Sequence, residues 1–151
     1  MRAASSVDLP VGIDTVLPWV SDLSRYVEWM PMVHAASPEG DDAGSLAWDV
    51  ELRAKVGPFA RSKRLRMVRT SERRSPGSAS FVFERAERGG RSHSAWVMNV
   101  TVTSVGSMTT VAIDLEYGGS LWSAGVLDKV LAAQIEEGKK GILRVVTAPT
   151  R

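Results

Sequence analysis

Cysteine is missing from the 151-residue chain, which excludes disulfide bonds, thiolate catalysis and cysteine-ligated metals. Histidine is nearly missing too, since only His34 and His93 occur. Two isolated histidines cannot hold a metal ion unless carboxylates are placed beside them. We therefore expect this protein to bind neither a metal nor a cofactor.

Long apolar runs are also absent. No segment approaches the ~18 apolar residues that a membrane-spanning helix needs. The N-terminal segment MRAASSVDLPVG lacks the apolar core of a secretory signal. The formal net charge of +2 is too small to indicate a nucleic-acid partner by itself. Together these absences predict a cytoplasmic protein that does not bind nucleic acid.

What remains is the composition of an ordinary globular protein, with 44% hydrophobic and 24% charged residues. A chain of this length can bury a sizeable core. We therefore expect a single domain over residues 1–151.

The clearest pattern is a strict alternation of apolar and polar residues through Ser45–Val56. A period of two predicts a strand with one buried and one solvated face. Weaker alternation predicts further strands at residues 5–9, 59–73, 81–84, 92–103 and 109–117. Glycine and proline pairs of hairpin length separate many of these strands, so we expect an antiparallel sheet.

Helices are predicted at the two ends of the chain. Two short ones occupy residues 14–21 and 24–29, and a polar loop is expected at residues 37–44. A long helix over about residues 121–146 has apolar positions at spacings of three and four, with Glu136 and Lys140 as a solvent-facing pair. Gly138 and Gly141 each cost ~1 kcal/mol in a helix; they indicate either close approach to the sheet or fraying.

This order of elements predicts an α+β protein. An antiparallel sheet of six or seven strands wraps around the long C-terminal helix, and the two short helices follow strand 1.

A sequence motif near the N-terminus, VSDLSRYVEWMPMV at residues 20–33, has Asp22, Leu23, Tyr26, Trp29 and Pro31 at its characteristic positions. With these residues the motif resembles the START/polyketide-cyclase superfamily, which has the helix-grip fold. Residues 55–59 and 118–143 resemble the carbon-monoxide-dehydrogenase G-like branch of that superfamily. That branch is expected to carry a C-terminal membrane-attaching extension, whereas this sequence stops at Arg151, so stable membrane attachment is not expected.

The resemblance implies a cavity for a small hydrophobic ligand, such as a lipid, isoprenoid, quinone or polyketide, between the sheet and the C-terminal helix. Alternation along the predicted strands selects the residues that would face this cavity, and the helix supplies two more. The predicted ligand-binding residues are Trp48, Val50, Leu52, Phe59, Leu65, Met67, Phe81, Phe83, Trp96, Met98, Val100, Val111, Ile113, Leu115, Tyr117, Leu127 and Leu131. The ligand itself is expected between Trp96 and Met98 on one side and Leu127 and Leu131 on the other.

Two other functions remain open. The first is a polyketide cyclase or aromatase in which Tyr117, with Arg61 or Arg85, polarises a carbonyl. No acid, base or nucleophile is clearly placed to converge, so no catalytic residue is assigned. The second is an accessory protein of a membrane-associated enzyme complex.

The predicted strand at residues 59–73 is strongly basic. Arg61, Lys63, Arg64 and Arg66 lie close together in it. Alternation would turn Arg61 and Lys63 inward with Leu65 and Met67, where an unpaired buried cation is costly. The sequence therefore places these two cations at the mouth of a pocket or with their heads extended to water, and it predicts weak, salt-sensitive contact between the basic strand and an anionic membrane.

Overall fold

The computed structural model describes residues 2–42, 44–56, 58–90, 93–118 and 126–149, with the side chains of residues 41, 42, 56, 59, 90 and 126–128 left undescribed. The elements in chain order are β1 (Arg2–Leu9), α1 (Ile13–Ser21), a 3₁₀ segment (Leu23–Glu28), β2 (Val33–Asp42), β3 (Ser45–Val56), β4 (Phe59–Ser75), β5 (Ser78–Arg85), a short 3₁₀ turn (Arg88–Gly90), β6 (Trp96–Val105), β7 (Met108–Tyr117) and α2 (Val126–Thr147).

The seven strands form one antiparallel sheet in the order β1-β7-β6-β5-β4-β3-β2. Consecutive strands from β2 to β7 pair as hairpins, and β1 joins the far side of β7, with Ser5 opposite Ile113. The α+β class, the seven-stranded antiparallel sheet and the long C-terminal helix are confirmed. In the part of the chain that is described, no helix is both long and apolar enough to cross a membrane.

The polar loop predicted at residues 37–44 is wrong. The backbone is extended through Asp42 and pairs with β3, and an irregularity in register lies between Glu39 and Asp42. β2 is the last strand of the sheet, and an edge strand tolerates proline and charged side chains because one side of it needs no partner. The polar, loop-like composition of residues 37–42 therefore led to a wrong prediction, because β2 is stabilised by pairing with β3.

Helix ends and helix pairs also differ in detail from the sequence prediction. α1 begins at Ile13, one residue earlier than predicted, with Gly12 at its N-cap position and no side-chain capping bond. Asp22 caps the 3₁₀ segment by accepting a hydrogen bond from the backbone N–H of Ser24 at 2.9 Å. The predicted Glu136–Lys140 pair is wrong. Two i,i+3 pairs form instead, Lys139 with Glu136 at 3.2 Å and Lys140 with Glu137 at 3.3 Å.

The face of the sheet that carries Val50, Met67, Phe83 and Val100, here called the inner face, is buried. α1 and the 3₁₀ segment cover one half of it. The indole Nε1 of Trp48 donates to Asp22 at 3.0 Å, and the Tyr26 ring meets Phe83 with 6.3 Å between centroids. α2 contacts β1 and β3 over the other half.

α2 crosses the segment that follows the 3₁₀ segment very closely. A Cβ atom at Gly141 would lie 2.0 Å from the carbonyl oxygen of Trp29, and one at Gly138 would lie 2.9 Å from Met30 Sδ. The glycines therefore permit close approach, as one sequence interpretation held, but the partner is the chain at Trp29 and Met30 and not the sheet.

Candidate functional site

A cavity of about 140 Å³ lies between the inner face, the 3₁₀ segment and α2. Its walls are almost entirely apolar. Ligand sites for drug-sized molecules usually enclose about 300–1,000 Å³, whereas an engineered cavity of about 150 Å³ lined by aliphatic and aromatic side chains accepts benzene. The cavity as it stands therefore suits a single ring or a short acyl chain, and a larger molecule needs α2 to move outward.

Ten of the predicted ligand-binding residues line this cavity. They come from strands β3, β4, β6 and β7 and from α2, and they are Val50, Leu52, Leu65, Met67, Trp96, Met98, Val111, Ile113, Leu115 and Leu131. They include Trp96, Met98 and Leu131, three of the four residues between which the sequence predicts the ligand. The side chains of Phe59 and Leu127 lie outside the described part of the chain. Whether a ligand contacts the ten stays a prediction.

Five predicted residues are buried but do not line the cavity: Trp48, Phe81, Phe83, Val100 and Tyr117. Alternation placed them on the inner face, but it could not show which half of that face would be filled by α1 and the 3₁₀ segment. Trp48 and Phe83 pack edge to face there, with centroids 5.8 Å apart. Tyr117 packs instead against the Trp96 ring, at 5.6 Å.

Sequence reasoning missed three groups of cavity residues. Tyr26 and Trp29 belong to the motif that carries the family resemblance. The sequence analysis therefore named them, but it did not predict that they line the cavity. The cavity-facing side of α2 follows from Leu131 by helical spacing. β1 contributes because it pairs with β7. The missed residues are Ala3, Ser5, Ser6, Val7, Leu23, Tyr26, Trp29, Met30, Met32, Val33, Gln134, Ile135, Gly138, Lys139 and Ile142.

The titratable side chains that line the cavity already have partners. Burial raises the pKa of Tyr26, whose hydroxyl donates to the carbonyl of Val20 at 2.9 Å. Lys139 pairs with Glu136 at 3.2 Å. Among the described residues, no acid and base therefore converge on a point inside the cavity, which is the arrangement that proton-transfer catalysis requires.

Two polar atoms at the cavity residues lack hydrogen-bond partners in the described structure, Trp96 Nε1 and Gln134 Oε1, and both are buried. The contrast with other tryptophans is direct, because Trp29 Nε1 donates to the carbonyl of Trp19 at 2.9 Å and Trp48 Nε1 donates to Asp22. A buried polar group without a partner costs about 1–3 kcal/mol. An acceptor brought to Trp96 Nε1, or a donor brought to Gln134 Oε1, would therefore relieve that cost.

A cationic pair, Lys63 and Arg85, meets at Ser94. Arg85 Nη1 donates to Ser94 Oγ at 3.2 Å, and Lys63 Nζ donates to the same oxygen at 3.5 Å. Arg85 also pairs with Glu87 at 2.8 Å. Burial, and then the nearby Arg85, lowers the pKa of Lys63 below its usual value, with Glu87 opposing.

Glu87 is the carboxylate beside this cationic pair. Burial by itself raises the pKa of Glu87, but hydrogen bonds from Arg85 and from the backbone N–H of Arg66 outweigh it, and the pKa falls below its usual value. Glu87 is therefore ionised and committed to Arg85.

The residues considered for catalysis do not come together. Tyr117 does not line the cavity, Arg61 is exposed, and Arg85 is engaged with Glu87 and Ser94. His34 and His93 are both exposed. In the described ranges, no group of three or more His, Asp or Glu side chains could hold a metal ion.

The basic strand does not present its four cations on one surface. Arg66 is 6% exposed and pairs with Glu39 at 2.9 Å, while Arg64 pairs with Asp49 at 2.8 Å. Alternation sends Arg64 and Arg66 to the face opposite Lys63. Arg66 therefore cannot contact a membrane as predicted, because its guanidinium is buried and paired with Glu39. Membrane contact through Arg61, Lys63 and Arg64 stays a prediction.

Comparison with known proteins gives a family match over nearly the whole chain. Residues 1–146 match the model of a family described as polyketide cyclase / dehydrase and lipid transport. A search of curated proteins gives no match.

Solved structures share the fold at low sequence identity. A START superfamily protein from Mycobacterium smegmatis has a TM-score of 0.68 at 13% identity, with 96% of each chain covered. Zhui aromatase/cyclase from Streptomyces sp. R1128 has a TM-score of 0.66 at 12% identity, covering 98% of this chain and 96% of that one. Human StAR-related lipid transfer protein 5 has a TM-score of 0.78 at 9% identity, covering 96% and 74%. These structures show the fold, and the family match over residues 1–146 confirms the predicted superfamily. The carbon-monoxide-dehydrogenase G-like branch stays a prediction.

Proposed function

This chain belongs to the polyketide cyclase / dehydrase and lipid transport family, and from that premise we propose that it binds a small apolar molecule in the cavity without transforming it. The observation that carries the proposal is the cavity of about 140 Å³ with its almost wholly apolar wall. Apolar burial contributes ~25 cal/mol per Å² before the cost of association is subtracted. The absence of a converging acid and base among the described residues favours binding over catalysis.

Cavity size narrows the class of ligand. A lipid, isoprenoid, quinone or polyketide is compatible with the wall chemistry. The volume favours a single ring or a short acyl chain, and it disfavours a fused polycyclic product unless α2 moves. The neighbouring structures include an aromatase/cyclase and a lipid transfer protein. A cyclase role, and an accessory role in a membrane-associated enzyme complex, stay open as alternatives to this proposal.

Titration calorimetry with 1-octanol, a neutral short-chain probe, tests the proposal. We expect saturable binding to the wild type and at least tenfold weaker binding to Leu131→Trp, because an indole at this 3%-exposed position fills the cavity. Leu143→Trp is the matched control, since Leu143 lies on the same helix and is 42% exposed; it should bind like the wild type.

Circular dichroism and thermal unfolding establish that each variant is folded. If Leu131→Trp does not fold, Leu131→Phe takes its place as a smaller obstruction. Equal octanol binding by the wild type and a folded Leu131 variant would show that the ligand binds elsewhere. No binding to the wild type, by octanol or by co-purifying compounds in native mass spectrometry, would refute the proposed function.

A further inference from the structure

The two residues of the cationic pair, Lys63 and Arg85, lie directly opposite residues that line the cavity. Lys63 on β4 lies opposite Leu52 on β3, and Arg85 on β5 lies opposite Met67 on β4. Leu52 and Met67 both line the cavity. Directly opposed residues of an antiparallel pair have Cβ atoms about 4.5–5.5 Å apart. Each of the two cations is therefore the immediate cross-strand neighbour of a residue in the apolar wall.

Charge at this border is unbalanced. Glu87 offsets Arg85 through their 2.8 Å contact, but among the described residues no carboxylate lies within ion-pair distance of Lys63 Nζ, whose recorded partner is the neutral Ser94 hydroxyl at 3.5 Å. His93, which is exposed, adds no negative charge. One positive charge is left over, and it lies close to a second cation, an arrangement that costs folding free energy unless an anion relieves it.

Hydrogen-bonding groups at this end of the cavity are also mismatched. Trp96 follows Ser94 by two residues, lines the cavity and is 4% exposed, yet its Nε1–H has no acceptor in the described structure. An indole N–H can only donate. Trp96 in the cavity wall, and Lys63 and Arg85 on the strands beside it, are therefore donors that leave a need for an acceptor, preferably a charged one.

We propose that the cavity ligand is an amphipathic monoanion, an apolar chain or ring that carries one carboxylate. The carboxylate binds Lys63 Nζ with help from Arg85 and Trp96 Nε1, and the apolar part lies in the cavity against Leu52 and Met67. One carboxylate matches the single uncompensated charge. This inference rests on the proposed function, because it assumes that the cavity is a binding site, and it adds the chemical class of the ligand.

A matched pair of probes, octanoate and 1-octanol, isolates the contribution of the head group because the two share a chain length. For the wild type at pH 7 and low ionic strength, we expect octanoate to bind at least tenfold more tightly than octanol, since hydrogen bonds to charged groups are stronger than neutral ones. Added salt should weaken octanoate binding and leave octanol binding nearly unchanged.

Variants then locate the head group. Lys63→Met keeps the aliphatic stem and removes the charge, so octanoate should lose about tenfold in affinity and octanol less than twofold. Trp96→Phe removes the N–H donor together with part of the indole ring, and it should weaken both probes several-fold. Lys139→Met is the control cation, because Lys139 also lines the cavity but pairs with Glu136; it should leave the octanoate-to-octanol ratio unchanged.

An independent readout needs no ligand. Lys63→Met should raise the thermal midpoint of the ligand-free protein, because it removes a cation held near Arg85, and octanoate should raise the midpoint of the wild type more than that of Lys63→Met.

The outcomes separate the two proposals. Failure of both octanol and octanoate to bind, with no co-purifying compound in native mass spectrometry, would refute the cavity as a binding site. Octanol binding with no preference for octanoate, or a preference lost in Lys139→Met and kept in Lys63→Met, would refute the carboxylate assignment alone.

Discussion

The two halves of the inner face are built from the same kinds of residue and end in different states. In the packed half, Trp48, Phe81, Phe83 and Val100 are buried without lining the cavity, and Trp48 and Phe83 contact Asp22 and Tyr26 at the 3₁₀ segment. In the cavity half, Val50, Leu65, Met67 and their neighbours face α2 across about 140 Å³. The difference lies in what covers each half, because an aromatic cluster interdigitates with the sheet in one, whereas a helix held at a fixed distance spans the other.

We infer that the crossing of α2 with the chain at Trp29 sets the distance between α2 and the inner face. Because Gly141 allows the helix backbone to contact the Trp29 carbonyl, the helix is anchored beside the packed half and cannot settle further onto the strands. The cavity is therefore a consequence of where α2 is anchored. Substitutions at the anchor, or in one half of the inner face at a time, test this comparison.

The largest expected effect is at the anchor. Gly141→Ala would place a Cβ 2.0 Å from the Trp29 carbonyl oxygen, so α2 or the Trp29 segment must shift, and we expect unfolding free energy to fall by about 3 kcal/mol or more. Gly138→Ala meets the flexible Met30 Sδ at 2.9 Å and gains helix propensity, so it should change stability by no more than about 1 kcal/mol. Urea unfolding of both variants measures the difference, and equal effects would contradict the anchor.

A pair of valines compares the two halves directly. Val100 in the packed half is 0% exposed and Val50 in the cavity half is 4% exposed. Val100→Ala should lower the unfolding free energy by about 2–3 kcal/mol, from lost transfer energy and a new void. Val50→Ala should cost about 1 kcal/mol, because one side of Val50 already lacks contact partners. Equal losses in denaturant unfolding would mean that the cavity half is packed as tightly as the other.

The smallest expected effect is at the unpartnered amide in the cavity half. Gln134→Met has similar length and helix propensity and removes the buried Oε1 that lacks a partner among the described residues. We expect the unfolding free energy to rise by about 1 kcal/mol. Gln134→Glu, which puts a charge at the same place, should lower it. A loss of stability in Gln134→Met would show that the amide is satisfied in solution, for example by a bound molecule.

Prediction from sequence succeeded where a pattern repeats over many residues. The alternation in β3 and β7 and the helical spacing in α2 identified the inner face, because burial on one side imposes those periods whatever lies opposite. It failed at β2, where an edge strand carries the composition of a loop, and at the ends of helices, where a cap such as Asp22 depends on a few local hydrogen bonds.

The candidate site was predictable only in part, for the same reason. Phe83 and Met98 lie directly opposite each other on neighbouring strands and share an inward orientation, yet Met98 lines the cavity and Phe83 does not. The alternation pattern does not distinguish them. The deciding contact is with Tyr26, which is distant in sequence.

The sequence by itself determined the strand periodicity, the apolar inner face, the long amphipathic helix and the family, since these depend on residue types at regular spacings. The tertiary structure decided that half of the inner face stays open, that Lys63 and Arg85 stand beside that opening, and that Trp96 Nε1 is left without an acceptor. Each of these depends on distances between segments far apart in the chain. Such distances are fixed by side-chain volumes and backbone crossings such as Gly141 against Trp29, which hydrophobic patterning does not encode.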